Sequence, residues 1–314
     1  MSQTPIIANN PIRGITLKLI SVVLFTGMAV CIKAASDAVP PGEAVFFRSF
    51  FAIPVILVWL IWQHDLKDGL KTQNLKGHLW RGIIGTAAMI LGFTSLAYLP
   101  LPEATAIGFA APIITVVLAA IFLNETIRIY RLAAVLAGLL GVLIILSPRL
   151  GTSSETFTTI ATIGAFAALG SAFLRATALI FTRKLVTKEN TATIVFYFSA
   201  IASLLGLLTL PFGWTIPPLK EAGILIASGI FGGLGQIFLT NSYRYAPAGV
   251  IAPFDYTAMI FALITGFLLF DEIPTLTVVI GASIVIAAGI FIILRERSLG
   301  LKRGPARSVT PSQG

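Results

Sequence analysis

Charged side chains set inside long apolar runs are the residues of this sequence best placed to do chemistry. Arg48, Arg175 and Asp255 each interrupt a stretch built mainly from Leu, Ile, Val, Phe, Ala and Gly. An Arg or Asp at the centre of an apolar helix in lipid costs about 2.5–3.5 kcal/mol on insertion scales, so such groups pair, line a wet cavity or bind a ligand. Arg175 and Asp255 each stand about seven residues from the same-side ends of their segments, at matching depth, and are expected to pair, either as a gate or substrate clamp or as a permanent bridge locking spans six and nine together. Arg48 lies roughly 9 Å deep at about 1.5 Å per residue, where snorkelling is barely within reach and a cavity role is favoured. Glu103 opens a neighbouring segment on the side nearer Arg48 and is the carboxylate expected to answer it. Tyr197, Gln236, Asn241 and Tyr256 are the remaining polar groups able to hydrogen-bond a ligand, whereas Glu125 and Glu272 occupy equivalent turns where capping and packing are expected.

Other chemistries are excluded by what is missing. Cys31 is the single cysteine, so no internal disulfide forms, and the two histidines, His64 and His78, fall in one polar connector without further ligands for a zinc site. There is no His-Glu-x-x-His, no Gly-x-Ser-x-Gly and no Gly-x-x-x-x-Gly-Lys-Ser/Thr loop. No catalytic residues, metal or cofactor are expected, the chain reads as a non-enzyme, and it cannot itself drive pumping with ATP.

The elements that must position these residues are long apolar helices. Of 314 residues, 56% are hydrophobic and 11% charged, against about 25% charged in an ordinary soluble protein, which rules out a soluble monomer. A net charge of +9 scattered through short connectors and the tail is not a nucleic-acid face. About 20 apolar residues of helix cross a bilayer core, and that ruler finds ten spans: 14–36, 42–63, 79–99, 102–123, 128–147, 157–182, 190–211, 219–242, 248–270 and 274–294. Backbone groups in lipid must be satisfied within the segment, and the alternation of a membrane barrel is absent, so an all-α polytopic membrane protein with a retained first helix is expected. Most of the 22 basic residues collect on one side: Arg13 and Lys18, then Lys67, Lys71, Lys76, Arg81, Arg128, Arg131, Arg183, Lys184, Lys188 and Arg244, with the tail. Lys33, Arg149 and Lys220 fall on the other, which predicts both termini in the cytoplasm.

The two halves of the chain repeat. Tyr98-Leu99-Pro100 answers to Tyr245-Ala246-Pro247, Leu123-Asn124-Glu125 to Phe270-Asp271-Glu272, and Gly82 and Gly85 to Gly229 and Gly232, all at one offset of 147 (98 to 245, 82 to 229). Earlier in the repeat the offset is 150, pairing Phe46-Phe47-Arg48-Ser49 with Phe196-Tyr197-Phe198-Ser199, and Lys33 with Arg183. The predicted layout is an N-terminal segment 1–13, a first repeat 14–147, a linker 148–156, a second repeat 157–294 and a basic tail 295–314. Five spans per repeat is an odd number, so the second half enters the membrane inverted. That architecture is recurrent in secondary transporters, with the substrate near the midplane between the repeats. Pro54, Pro112 and Pro253 fall inside spans two, four and nine and are expected to kink them.

These motifs, with a Gly/Ala-rich last span in each half, resemble the EamA-type members of the drug/metabolite transporter superfamily over residues 14 to 294. The resemblance implies a ten-helix bundle, a cavity lined by spans one to four and six to nine, and spans five and ten set aside for packing or homodimer contact. Phe46-Phe47-Arg48-Ser49-Phe50-Phe51, Arg81-Gly82 and Phe122-Leu123-Asn124-Glu125 are similar to bacterial carriers of S-adenosylmethionine and of riboflavin. A secondary transporter of a small organic molecule in the bacterial inner membrane is therefore expected, its partners being that substrate and membrane lipids. Riboflavin uptake is the first expectation, stacked among Phe46, Phe47, Tyr197 and Tyr256 beside Arg48. Export or exchange of amino acids, nucleoside-like metabolites or S-adenosylmethionine is the alternative, and a non-transporting receptor or scaffold a further one.

Overall fold

A computed structural model describes residues 10–62, 69–123, 129–150, 157–186, 189–246 and 251–298, and every regular element among them is helical. In chain order these are α1 (Pro11–Ala35), α2 (Pro41–Phe50), α3 (Ala52–Trp62), α4 (Leu75–Tyr98), α5 (Leu101–Gly108), α6 (Ala110–Leu123), α7 (Ile129–Leu150), α8 (Phe157–Val186), α9 (Thr191–Leu207), α10 (Leu219–Tyr245), α11 (Thr257–Phe270) and α12 (Leu276–Ser298). They follow the ten expected spans, two of which are broken in the middle. Pro11–Ala35, Pro41–Trp62, Leu75–Tyr98, Thr159–Thr182 and Leu219–Ser242 are each long and apolar enough to cross a membrane, and the others are shorter apolar helices.

Local signals explain the ends and the breaks. Asn10 caps α1 by accepting from Arg13 N at 3.1 Å, and Asn74 caps α4 by accepting from Gly77 N at 3.0 Å. Prolines at the first positions of α1, α2 and α5 lose no bond there, because those N–H groups have no partner within the helix. Mid-span prolines do break the ladder. Position 54 offers no N–H to the carbonyl of Phe50, and the helix is interrupted at Phe51; position 112 offers none to Gly108, and the interruption falls at Phe109. Pro253 lies in a 3-10 turn, Ala252–Tyr256, that precedes α11.

The packing obeys the inverted repeat. α1 packs chiefly along α10, and its counterpart α8 packs chiefly along α4, which corresponds to α10. α2 and α3 meet α9 and α10, as α9 meets α4; α7 and α12, the last helices of the halves, pair with each other. Two glycines fix the long pairs by close approach. A methyl at Gly14 would lie 2.6 Å from Ala246 Cβ, and one at Gly164 would lie 2.9 Å from Leu99 Cγ, so equivalent glycines meet equivalent turn residues. Gly141 and Gly281 face each other's carbonyl oxygens between α7 and α12, where an added Cβ would sit at 2.7 and 2.5 Å.

A core of Ile32, Val45, Leu99, Leu101, Ile107 and Ile113, with their neighbours, fills the middle of the bundle. The outer faces remain apolar: Leu132, Leu136, Leu139 and Leu143 form an exposed stripe on α7 at the spacing of one helix face, as do Ile260, Ile264, Phe267 and Leu268 on α11. An exposed apolar belt of that extent is the face a membrane protein turns to lipid.

Candidate functional site

Two of the basic residues counted among the flanking charges, Lys18 and Arg81, are inside the bundle. Lys18, one third of the way along α1, is 3% exposed, and its Nζ stands 2.5 Å from Asp255 Oδ1. Asp255 is therefore paired, but with Lys18 and not with Arg175 as its depth suggested, because the tight packing of α1 against the start of span nine brings the lysine there first. Arg175 lies within electrostatic reach of Asp255 and extends its guanidinium across to Gly108, where a methyl would come within 2.8 Å of Nη2. Tyr256, next to Asp255, packs its ring on Phe109 at 5.2 Å, and its hydroxyl occupies the space a Cβ at Gly289 would need. Arg175, Asp255 and Tyr256 are thus brought together around the break between α5 and α6, with Lys18 as a member that spacing did not reveal.

A second cluster forms around Phe198. Arg48, on the last turn of α2, is 3% exposed and sets its guanidinium carbon 5.6 Å from the Phe198 ring centre. Arg81, expected at the end of a basic connector, is 6% exposed on α4 and sits over the same ring at 4.3 Å, with Nε donating to Thr182 Oγ1 at 2.8 Å. The expected Arg48–Glu103 pair does not form. Glu103 is buried in the first turn of α5, whereas Nε and Nη1 of Arg48 have no hydrogen-bond partner among the described residues. The cluster reflects the repeat: Arg48 and Phe198 are equivalent positions, Gly232 leaves room for Arg48, and Gly85 leaves room for Phe198. Thr182 lies two turns from Arg175 along α8, so the clusters are about 10 Å apart on that helix.

The remaining candidates disperse. Tyr197 packs its ring at a tilt against His78, ring centres 4.9 Å apart, and His78 is buried in the first turn of α4 and not in a polar connector. Its Nε2 is 3.8 Å from Glu189 Oε1, an oxygen that accepts from Thr72 Oγ1, Gln73 N and Asn74 N. Phe46 packs on Phe50 and on Trp214 near the other end of the bundle. Gly206, nine residues beyond Tyr197 on α9, touches the Phe46 backbone, so Tyr197 and Phe46 are separated by about 13 Å along the helix. The four rings expected to clamp a planar heterocycle do not share one place. Gln236 is one turn from Gly232 on the same face of α10, beside the Arg48 cluster, while Asn241 is about 140° further round that helix.

At the end of the bundle away from the N-terminus, Lys33 closes a separate network. Its Nζ is 2.9 Å from Glu272 Oε1 and donates to Leu99 O at 2.7 Å, while Glu272 Oε2 accepts from Leu101 N at 2.7 Å. The capping role expected of Glu272 is what this geometry provides. Glu125, the counterpart, lies outside the described residues, as does His64. Among the described residues no group of histidine, cysteine and carboxylate side chains could hold a metal ion.

The sequence is similar to those of named membrane carriers. The chain is 31% identical to the pseudopaline exporter CntI of Pseudomonas aeruginosa over 278 residues, covering 88% of this chain and 94% of that protein. It is 29% identical to the S-adenosylmethionine uptake transporter of Rickettsia bellii over 294 residues, covering 92% and 96%. A solved crystal structure shares the fold at a TM-score of 0.65 over 91% of this chain and 98% of its own, with 18% identity. The model of the EamA-like transporter family matches twice, at residues 12–147 and 162–295. Two family repeats, one ten-span helical body and full-length likeness to named carriers lead to one conclusion: this chain, a multi-pass small-molecule transporter of the bacterial inner membrane, belongs to the EamA-like transporter family.

Proposed function

We propose that this chain is a secondary carrier of amino-acid-derived metabolites, with S-adenosylmethionine as the first substrate to test and both termini in the cytoplasm. The observation that carries the reading is the set of opposite charges at the helix breaks. Asp255, 42% exposed, offers a carboxylate to a cationic group with Arg175 nearby, while Arg48 and Arg81 offer guanidinium groups elsewhere in the same interior. S-adenosylmethionine carries both kinds of charge, a sulfonium and an ammonium on one hand and a carboxylate on the other. Its sulfonium need not meet Arg48 or Arg81, since Asp255 is set apart from their cluster, with Lys18 and Arg175 as its own cationic neighbours. Broken helices whose free carbonyls and charged side chains face the interior are the usual construction of such sites.

Riboflavin draws less support, because the rings that would have stacked it stand in separate places. Direction is not part of the proposal: of the two named relatives one is an exporter and the other an uptake system, and one bundle can serve either. Proteoliposomes containing only the purified chain test the reading. Labelled S-adenosylmethionine should enter or exchange without ATP at least tenfold faster than into empty vesicles, and Asp255→Asn should remove most of that flux. Binding without flux would identify a receptor, flux of riboflavin alone would restore the first expectation, and neither binding nor flux of S-adenosylmethionine would end this proposal.

A further inference from the structure

Buried guanidinium groups are normally matched by carboxylates, since an unpaired charge out of water is among the most unfavourable arrangements a protein holds. Among the described residues Arg48 and Arg81 are not matched. Nε and Nη1 of Arg48 and Nη1 of Arg81 are buried with no hydrogen-bond partner there, and the contacts the two share are with the face of Phe198, which attracts a cation but accepts no planar fork of N–H groups. Both guanidinium carbons are within 6 Å of one ring centre, so they are at most about 10 Å apart, and each charge raises the potential felt at the other. The pair is assembled from three spans: α2 supplies Arg48 just before the break at Phe51, α4 supplies Arg81, and α9 supplies the ring. Room is kept by glycine. A methyl at Gly232 would stand 2.8 Å from Arg48 Nε, and one at Gly85 would stand 2.7 Å from Phe198.

We infer that Arg48 and Arg81 together form an oxyanion site that binds the carboxylate of the transported molecule. A planar carboxylate offers two oxygens and about four lone-pair positions, the complement of the unused N–H donors, and it neutralises part of a doubly positive pocket. The group comes from the substrate and not from a lipid headgroup, because both arginines are buried away from the lipid-facing surface. This inference deepens the proposed function by naming the recognised group, and rests on that reading only for the identity of the rest of the molecule. The empty pair also destabilises the protein, so neutral variants of similar shape gain stability when no ligand is present.

Melting midpoints of the full chain purified in a neutral detergent test this without transport. Acetate should raise the midpoint of the wild type and acetamide, the same shape without charge, should not; S-adenosylmethionine should exceed its decarboxylated analogue in the same way. Arg48→Gln and Arg81→Gln should each erase both differences, and without ligand each should melt at or above the wild-type midpoint. Equal effects of acetate and acetamide, differences that survive in the double variant, or variants that melt several degrees lower without ligand would overturn the inference, the last by showing that the arginines are structural. Inorganic phosphate that stabilises where acetate does not would overturn the carboxylate assignment. An acetate effect lost in the variants, together with no response to S-adenosylmethionine, would leave the site standing and remove only the proposed substrate.

Discussion

Asp255 has two cationic neighbours, and the identity of its partner decides what its removal does. With Lys18 at 2.5 Å and nearly inaccessible, Asp255→Asn strands a buried ammonium. Breaking a wholly buried pair costs about 3–5 kcal/mol, and the 42% exposure of Asp255 lowers the expectation to about 2 kcal/mol. A second change at Lys18 to Gln should recover most of that loss, because it removes the stranded charge, whereas Arg175→Gln should recover little. Melting midpoints of the three variants check this, and recovery with Arg175→Gln in place of Lys18→Gln would return the pairing to the arginine. The same comparison in a flux assay separates stability from transport, since the double variant is expected to regain its fold while lacking the carboxylate proposed to face the substrate.

At the scale of elements, what holds the bundle is glycine-mediated contact between helices that have no hydrophobic effect to press them together in lipid. The contact of α7 with α12 is the clearest case. Gly281→Ala would place a Cβ 2.5 Å from the backbone oxygen of Gly141, and no side-chain rotation can relieve a clash with backbone. The two helices must separate, at about 1–3 kcal/mol for overpacking of this kind. The variant should melt several degrees below the wild type while keeping the charge clusters, which lie on other helices, and a midpoint unchanged within a degree would show that α7 and α12 part without loss. Helix breaks belong to the same scale. Both interruptions fall three residues before a proline, and both lie beside an arginine, the buried Arg48 at Phe51 and Arg175 near Phe109.

For the whole molecule the prediction is topological. The segment after α9 and the segment before α4 lie at opposite ends of the bundle, and charge bias puts the second in the cytoplasm. Ile216 is 97% exposed and Gln73 is exposed, so cysteines there are open to reagent. In a background with Cys31→Ser, Ile216→Cys should react with a membrane-impermeant maleimide added to intact cells, and Gln73→Cys should react only after the membrane is opened. The reverse pattern would invert the protein. The inverted repeat gives the same molecule two related half-sites that have diverged: the position that is Arg48 in one half is Phe198 in the other, and the two meet across the interface between the halves.

Hydropathy and spacing alone determined the helical class, the ten spans to within a few residues at most ends, and the repeat, because each rests on local quantities: the length of helix that crosses lipid, the missing N–H of proline, and a constant offset between like motifs. They also marked Arg48, Arg175 and Asp255 as residues whose position in an apolar run needs a reason. The partners of those residues were decided by tertiary structure. Depth along a helix placed Arg175 level with Asp255, but which cation reaches the carboxylate depends on how helices are rotated and how closely glycines let them approach, and the packing of α1 gave the place to Lys18. Lys18 and Arg81 were counted as flanking charges because each lies within a few turns of a basic connector; only the position of neighbouring helices distinguishes a side chain that reaches the water from one turned inward. The aromatic residues failed to form one clamp for the same reason, since a sequence fixes how far apart two residues lie on one helix and leaves their separation across helices to the packing.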